Sequence, residues 1–100
     1  MPTYVTLANF TEDGLEDIDE LPDRIERVEE LKRSLGGEPK GFFLTFGQYD
    51  LVAFSEMPDA ETTAKVQLAS ALEGSVETET LRAFTMDELG ELLDELPGSE

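Results

Sequence analysis

The chain has 100 residues, of which 24 are acidic and 7 basic, and its net charge is −17; cysteine, histidine and tryptophan are absent. Disulfides, cysteine-ligated metals, zinc-histidine centres and Ser-His-Asp catalysis are therefore excluded, which leaves carboxylates, tyrosine, lysine, arginine and hydroxyls for any chemistry. So negative a surface would repel nucleic acid and anionic membranes. Because no apolar run approaches the ~20 residues of a membrane helix and no leader pattern is present, we expect one cytoplasmic domain over residues 1–100, without cofactor or metal.

The acidic residues are spread along the whole chain: six lie between positions 12 and 20, and six between 87 and 100. The 39% hydrophobic content, arranged in periodic patterns, argues against disorder. At ~1 M salt the Debye length falls to about 3 Å, so the mutual repulsion of these acids is screened. Together with the low lysine content, the charge predicts a folded protein adapted to concentrated salt, as in the cytoplasm of a halophile.

The N-terminal third of the chain predicts a strand followed by a broken helix. Residues 3–10 alternate and are rich in β-branched and aromatic types, as in a strand. Thr11 suits a helix N-cap, and Pro22 interrupts the helical pattern after it, so we expect a short helix and then a main helix from Pro22 to Leu35, before Gly36-Gly37. The apolar positions that recur at steps of three and four are Leu15, Ile18, Leu21, Ile25, Val28, Leu31 and Leu35.

The rest of the chain predicts a hairpin, a helix, a strand and a final helix. Two apolar β runs, 41–46 and 51–55, flank the turn Gly47-Gln48-Tyr49-Asp50. A helix follows from Pro58-Asp59 to Gly74, then a strand over 76–84, and a capping box at Thr85 begins the last helix. The packed face of the first of these helices is expected to contain Ala60, Ala64, Leu68 and either Ala71 or Leu72, and the buried stripe of the last helix is expected to contain Leu89, Leu92, Leu93 and Leu96.

The order βαββαβ with an extra C-terminal helix predicts an α+β ferredoxin-like sandwich, in which helices cover one face of a four-stranded antiparallel sheet. A sheet with one wet face should alternate apolar and polar residues, yet residues 42–46 and 51–54 place apolar side chains on both faces. A second copy of the same sheet is the simplest cover, so we expect a homodimer. The predicted interface residues are Phe42, Phe43, Leu44, Phe46 and Phe54.

The segments YVTLANFTEDG, LTFGQYDLVAF and TETLRAFT follow one another along the chain and closely resemble the GYD domain family. That family is named for a Gly-x-Tyr-Asp hairpin, which corresponds here to Gly47, Tyr49 and Asp50. The resemblance covers nearly the whole chain and implies the ferredoxin-like superfamily of dimeric α/β barrels. It implies little about mechanism, because the family is poorly characterised.

The Gly47–Asp50 turn has two interpretations. As an architectural turn, it uses the tolerance of glycine for positive φ, and Asp50 hydrogen-bonds neighbouring backbone amides. As a functional site, it would place Tyr49 at the hairpin tip to cap a ligand pocket or to pack on a partner. We favour the architectural interpretation and keep the functional one open.

Polar side chains on the first and last strands are further candidates for a ligand site, between the paired sheets. Arg82 among threonines suits a carboxylate or phenolate, although an ion pair with one of the many acids is the simpler interpretation. The predicted ligand-binding residues are Tyr4, Thr6, Tyr49, Asp50, Thr80 and Arg82.

The favoured function is therefore the binding of a small metabolite by a homodimer. The alternative, which the superfamily resemblance permits, is a cofactor-free oxygenase or isomerase acting on a small phenolic or polyketide-like substrate. Without histidine, such catalysis would depend on tyrosine, arginine or a carboxylate of raised pKa.

Salt dependence tests the interpretation of the charge. Of the 24 acids five lie within residues 20–35, so nineteen carboxylates elsewhere face only Lys40, Lys65 and Arg82. Dilution from molar salt to about 0.1 M should therefore lower the melting temperature, because the screening of these carboxylates weakens. Circular dichroism melts across this salt range measure the effect, and an unchanged midpoint would contradict the halophile prediction.

Overall fold

The structure, a computed structural model, describes residues 1–98. Its strands are β1 (Thr3–Phe10), β2 (Glu38–Leu44), β3 (Leu51–Glu56) and β4 (Val76–Ala83), and its helices are α1 (Glu12–Glu16), α2 (Leu21–Ser34), α3 (Ala60–Glu73) and α4 (Met86–Asp94). A 3-10 turn, Ile18–Glu20, joins α1 to α2. Neighbouring strands are antiparallel in the order β2-β3-β1-β4, so the predicted ferredoxin-like fold with an extra C-terminal helix is confirmed.

The predicted helix boundaries depend on local hydrogen bonds that the structure contains. The side chains of Thr11 and Asp59 accept hydrogen bonds from backbone N–H groups three residues further on, at 3.1 and 2.7 Å. Thr85 and Glu88 form both bonds of a capping box, at 2.9 and 3.1 Å. Gly74 ends α3 with a φ of 81°. The helices therefore begin and end within a residue or two of the expected positions.

The first strand of the hairpin differs from its prediction over residues 41–46. β2 begins at Glu38, where it pairs with the end of β3, and a register shift lies between Pro39 and Gly41. β2 ends at Leu44, so Phe46 belongs to the turn and its side chain is fully exposed. The prediction was wrong at both ends because it followed the apolar run, whereas the backbone pairing does not.

The register of the strands assigns each residue to one face of the sheet. On the face that the helices cover, Thr6 of β1 lies opposite Ala53 of β3 and Thr80 of β4. Phe42 pairs with Ala53 and so shares this face, whereas Phe43 points to the other side. We call the other side the open face; its members include Val5, Leu7, Phe43, Val52, Phe54, Glu77, Glu79 and Leu81.

The core between helices and sheet is small. The buried hydrophobic residues of the described chain are Tyr4, Ala8, Leu51, Ala53, Met57 and Val66. Three residues of the predicted α2 stripe, Val28, Leu31 and Leu35, pack against Met57 and Val66, whereas Leu15 before α2 is 57% exposed. The core is thus built mainly from β1, β3, α2 and one residue of α3.

The predicted packing face of α3 is wrong. The exposed residues are Ala60, Ala64, Leu68, Ala71 and Leu72. The helix instead presents Val66 to the sheet, between the half-buried Thr63 and Ser70. Apolar periodicity identifies the more apolar side of a helix, but this sheet covers the other side. We call Ala64, Leu68 and Leu72 the α3 stripe.

The prediction of a buried leucine stripe on α4 is also wrong for the single chain. The leucines Leu89, Leu92, Leu93 and Leu96 are 42–55% exposed. The described chain measures 56 × 31 × 18 Å, and its radius of gyration of 15.6 Å exceeds the about 13 Å expected for a compact domain of this length. The helix therefore extends away from the body of the domain, with its apolar side uncovered.

Candidate functional site

Hydrogen bonds from Thr45 to the last two residues of the Gly47–Asp50 turn stabilise this turn. Gly47 has a φ of 125°, the positive value that was expected of it. The Thr45 hydroxyl donates to the carbonyl of Tyr49 at 2.7 Å, and the Thr45 N–H donates to the carbonyl of Asp50 at 2.8 Å. These bonds close the hairpin without any contribution from a ligand.

Asp50 attaches the hairpin to the end of β1. Its carboxylate accepts a hydrogen bond from the backbone N–H of Phe10 at 2.9 Å. Its own N–H donates to the carbonyl of Ala8 at 2.9 Å and to the side-chain oxygen of Asn9 at 3.1 Å. Because these contacts satisfy backbone groups at a strand end, they support the architectural interpretation of Asp50.

Tyr49 reaches from the hairpin to β4 on the open face. Its hydroxyl donates to the Glu79 carboxylate at 2.7 Å. This hydrogen bond, with desolvation and the charge of Glu79 adding to it, raises the pKa of the Tyr49 hydroxyl. Tyr49 is therefore a hydrogen-bond donor that links two strands at neutral pH and is poorly suited to act as a base. Its predicted role toward a ligand stays a prediction.

Arg82 lies at the junction of β4 and α4. Its guanidinium stacks on the rings of Phe84 and Tyr4, at 4.2 and 5.8 Å from their centroids. It donates to the carbonyls of Thr3, at 3.3 Å, and of Ala83, and it lies 3.7 Å from the Glu88 carboxylate. The hydrogen bond that the Glu88 carboxylate accepts from the Thr85 backbone N–H lowers the pKa of Glu88, and the positive charge of Arg82 lowers it further. The guanidinium of Arg82 is therefore held by contacts within its own chain, next to the start of α4.

A cavity of about 70 Å³ lies between the helices and the covered face of the sheet. Thr6 and Thr80 line it, whereas Tyr4, Tyr49, Asp50 and Arg82 do not. The predicted ligand-binding set is therefore divided between the cavity, the hairpin and the β4–α4 junction. Thr6 and Thr80 face their own helices, not the space between two paired sheets.

Lys32 is the cavity residue that the prediction missed. The residue is only 6% exposed, and it lines the cavity together with apolar residues such as Val28. Burial lowers the pKa of the Lys32 amine, and the nearby Glu29 opposes this effect. Across residues 1–98, the structure gives this amine no hydrogen bond or ion pair. The signal in the sequence was a lysine adjoining the apolar stripe, four residues after Val28.

Arg24, the second cation at the cavity, is fully engaged. It contacts Glu73 at 3.2 Å, Glu20 at 3.0 Å and Asp17 at 3.6 Å. Glu20, four residues before Arg24, ends the 3-10 turn that precedes α2, whereas Glu73 lies at the end of α3. Arg24 therefore ties α2 to α3 and closes one end of the cavity.

The open face has apolar residues at its centre. The rings of Phe43 and Phe54 meet edge to face, with centroids 6.1 Å apart and an angle of 73° between planes. These side chains are 55% and 38% exposed, and Leu81 on β4 is 44% exposed. Two of the predicted interface residues, Phe43 and Phe54, thus lie on the open face. Leu44 and Phe46 lie at the hairpin end, and Phe42 lines the cavity.

The fold and the hairpin agree with the comparisons to known proteins. A model of the GYD domain matches residues 4–93. The chain belongs to the GYD domain family. A Thermus thermophilus protein named glutamine synthetase and cystathionine beta-lyase binding protein is 39% identical to this GYD domain over 90 residues, which span 89% of this chain and 95% of that protein. The crystal structure of a protein from Thermus thermophilus aligns with a TM-score of 0.53 and 28% identity, covering 85% of this chain and 95% of the other.

Two further findings concern the part of the GYD domain that the structure describes. No cluster of three or more carboxylates within residues 1–98 is arranged to hold a metal ion. No helix in the same range is long and apolar enough to cross a membrane.

The role of Asp50 is tested by comparing Asp50→Ala with Asp50→Asn. Asp50→Ala leaves the N–H of Phe10 without its acceptor and should lower the free energy of unfolding by about 1.5–3 kcal/mol, the range for a hydrogen bond to a charged group. Asp50→Asn keeps an acceptor oxygen and should lose less than half as much. Urea unfolding in molar salt measures both, and equal losses would contradict the capping role.

Proposed function

We propose that this GYD domain is a homodimer that binds glutamine synthetase or cystathionine beta-lyase, the two enzymes named for its Thermus thermophilus relative. The observation that carries the proposal is the uncovered apolar surface. Within residues 1–98, sixteen large hydrophobic side chains are exposed, against six buried hydrophobic residues in the core. Where such residues adjoin one another, as Phe43 and Phe54 do, exposed apolar surface is typical of proteins that bind other proteins. The 39% identity to a protein named for binding two enzymes supports the same conclusion.

The open face is the surface proposed for pairing of two copies. Phe43 and Phe54 form its aromatic centre, and Val5 and Leu7 adjoin them across β1. Two such faces would pack about 10 Å apart, as the sheets of a sandwich do. The resulting dimer is the dimeric α/β barrel that the family resemblance implies. Phe42 is removed from the predicted interface, because it faces the helices.

The α3 stripe is the surface proposed for the enzyme. It lies on the outer side of a helix that packs on the covered face, so pairing through the open face leaves it accessible. Leu68 and Leu72 are 64% and 88% exposed, so they are apolar side chains that a partner is able to cover. Dimerisation would present this stripe twice and increase the avidity for an oligomeric enzyme.

Binding has more support than the alternative of a cofactor-free oxygenase or isomerase. A carboxylate at the cavity, Glu73, is paired with Arg24 at 3.2 Å, and the pKa of Tyr49 is raised by its bond to Glu79. Neither group is therefore arranged as a general base for a phenolic substrate. A metabolite between paired sheets has little support as well, since Thr6 and Thr80 face the helices.

Enzyme binding is tested by titrating the protein onto immobilised glutamine synthetase and cystathionine beta-lyase from the same organism, in molar salt. Saturable binding to at least one enzyme is expected, and Leu72→Asp should weaken it at least about tenfold, because a charge replaces an apolar contact. Ala69→Asp adds the same charge to the same helix outside the α3 stripe and should bind normally. Absence of saturable binding to both enzymes would refute the proposal.

Pairing through the open face is tested separately with Phe43→Asp. A charge buried in an apolar seam costs several kcal/mol, so sedimentation should show monomers for this variant and dimers for the unmodified protein. Leu72→Asp is the matched control: it places the same charge at an exposed leucine of the α3 stripe and should leave the dimer intact. A monomeric unmodified protein, or a dimeric Phe43→Asp protein, would contradict the assignment.

A further inference from the structure

The inference concerns the cavity beneath α2 and starts from Lys32. The side chain is 6% exposed, and it lines the cavity. A buried ammonium without a counter-charge is costly, and proteins ordinarily pair such a group. Within residues 1–98 no ion pair or hydrogen bond to this amine is formed. The amine therefore has no ion-pair or hydrogen-bond partner in the described part of its own chain, although the charge of Glu29 acts on it, and an anion in the cavity would supply a direct partner.

The walls of the cavity have the remaining features of a small-molecule site. Thr6, Ser55 and Thr80 line the cavity from the sheet, and their hydroxyls form no hydrogen bond with the described residues. Apolar side chains, among them Val28 and Val66, form much of the remaining wall. A mainly apolar pocket with a few convergent polar groups is the usual construction of a ligand site.

Charge and size restrict the ligand. Arg24 is paired with Glu73 at 3.2 Å, so Lys32 is the cation that lines the cavity without an ion pair among the described residues, although the charge of Glu29 acts on it. One charge suits a monoanion, whereas a phosphate dianion would need further cations or backbone donors. The volume of about 70 Å³ is roughly half that of the about 150 Å³ cavity that accepts benzene, which leaves room for a short chain of a few heavy atoms.

We propose that this cavity binds a short aliphatic monocarboxylate, whose carboxylate pairs with the Lys32 ammonium and accepts from the hydroxyls of Thr6 and Ser55, and whose chain lies against Val28 and Val66. The site is enclosed by one protomer and is separate from both the open face and the α3 stripe. It is therefore independent of the proposed enzyme binding and of dimerisation.

The probe is sodium acetate, which has four heavy atoms, and ethanol is its neutral match in chain length. Both are titrated into the isotope-labelled full chain at constant ionic strength, while NMR follows the methyl signals of Val28, Val66 and Met57. Acetate should shift these signals saturably, with an affinity at least about tenfold above that of ethanol, because only acetate has a charge for Lys32. Equal affinities, or no saturable shift with acetate, would overturn the proposal without any variant.

Lys32→Met replaces the amine by a thioether of similar length. This variant should bind acetate no more tightly than ethanol, since the cation is gone while the apolar wall remains. Lys65→Met, which removes an exposed lysine of α3, is the matched control and should keep the preference for acetate. An acetate preference that survives in Lys32→Met would overturn the assignment of the carboxylate to Lys32.

Discussion

A four-stranded sheet has two faces, and the helices of this chain cover only one of them. β1 and β3 occupy the centre of the sheet, so their side chains need cover on both sides. On the covered face this need is met by α2 and Val66 of α3. On the open face, the rings of Phe43 and Phe54 meet edge to face, and both side chains stay exposed in the part of the chain that the structure describes. The exposure of Phe43, Phe54 and Leu81 and the surface proposed for pairing both follow from that asymmetry.

The Gly-x-Tyr-Asp turn stabilises the arrangement from the end of the sheet. Asp50 satisfies the backbone where β1 leaves the sheet, and Tyr49 reaches Glu79 on β4 at 2.7 Å. One four-residue turn therefore connects the β2–β3 hairpin to both β1 and β4. This explains physically why a hairpin motif identifies the family: the turn determines how the strands are held together, whatever the domain binds.

The ends of the helices and the order of the helices and strands could be predicted from short stretches of sequence. The side of each helix that packs on the sheet could not, because it depends on segments far away in the chain. Pro22, Gly74 and the capping box at Thr85 determine helix ends through backbone geometry, which a sequence contains. The side of α3 that meets the sheet depends on other segments, and the α3 stripe is apolar although it is exposed. The leucines of α4 were misassigned because an apolar stripe in the sequence does not specify whether anything in the same chain covers it. Lys32 was missed because a lysine beside an apolar stripe usually extends to solvent.

The central claim is that a second copy covers the open face. Nuclear Overhauser effects in a mixture of isotope-labelled and unlabelled chains test it most directly, because they report only contacts between copies. The account predicts contacts from the Phe43 and Phe54 rings of one copy to the Val5 and Leu7 methyl groups of the other. Contacts confined to the α3 stripe or to the leucines of α4, or no contacts at all between copies, would contradict it.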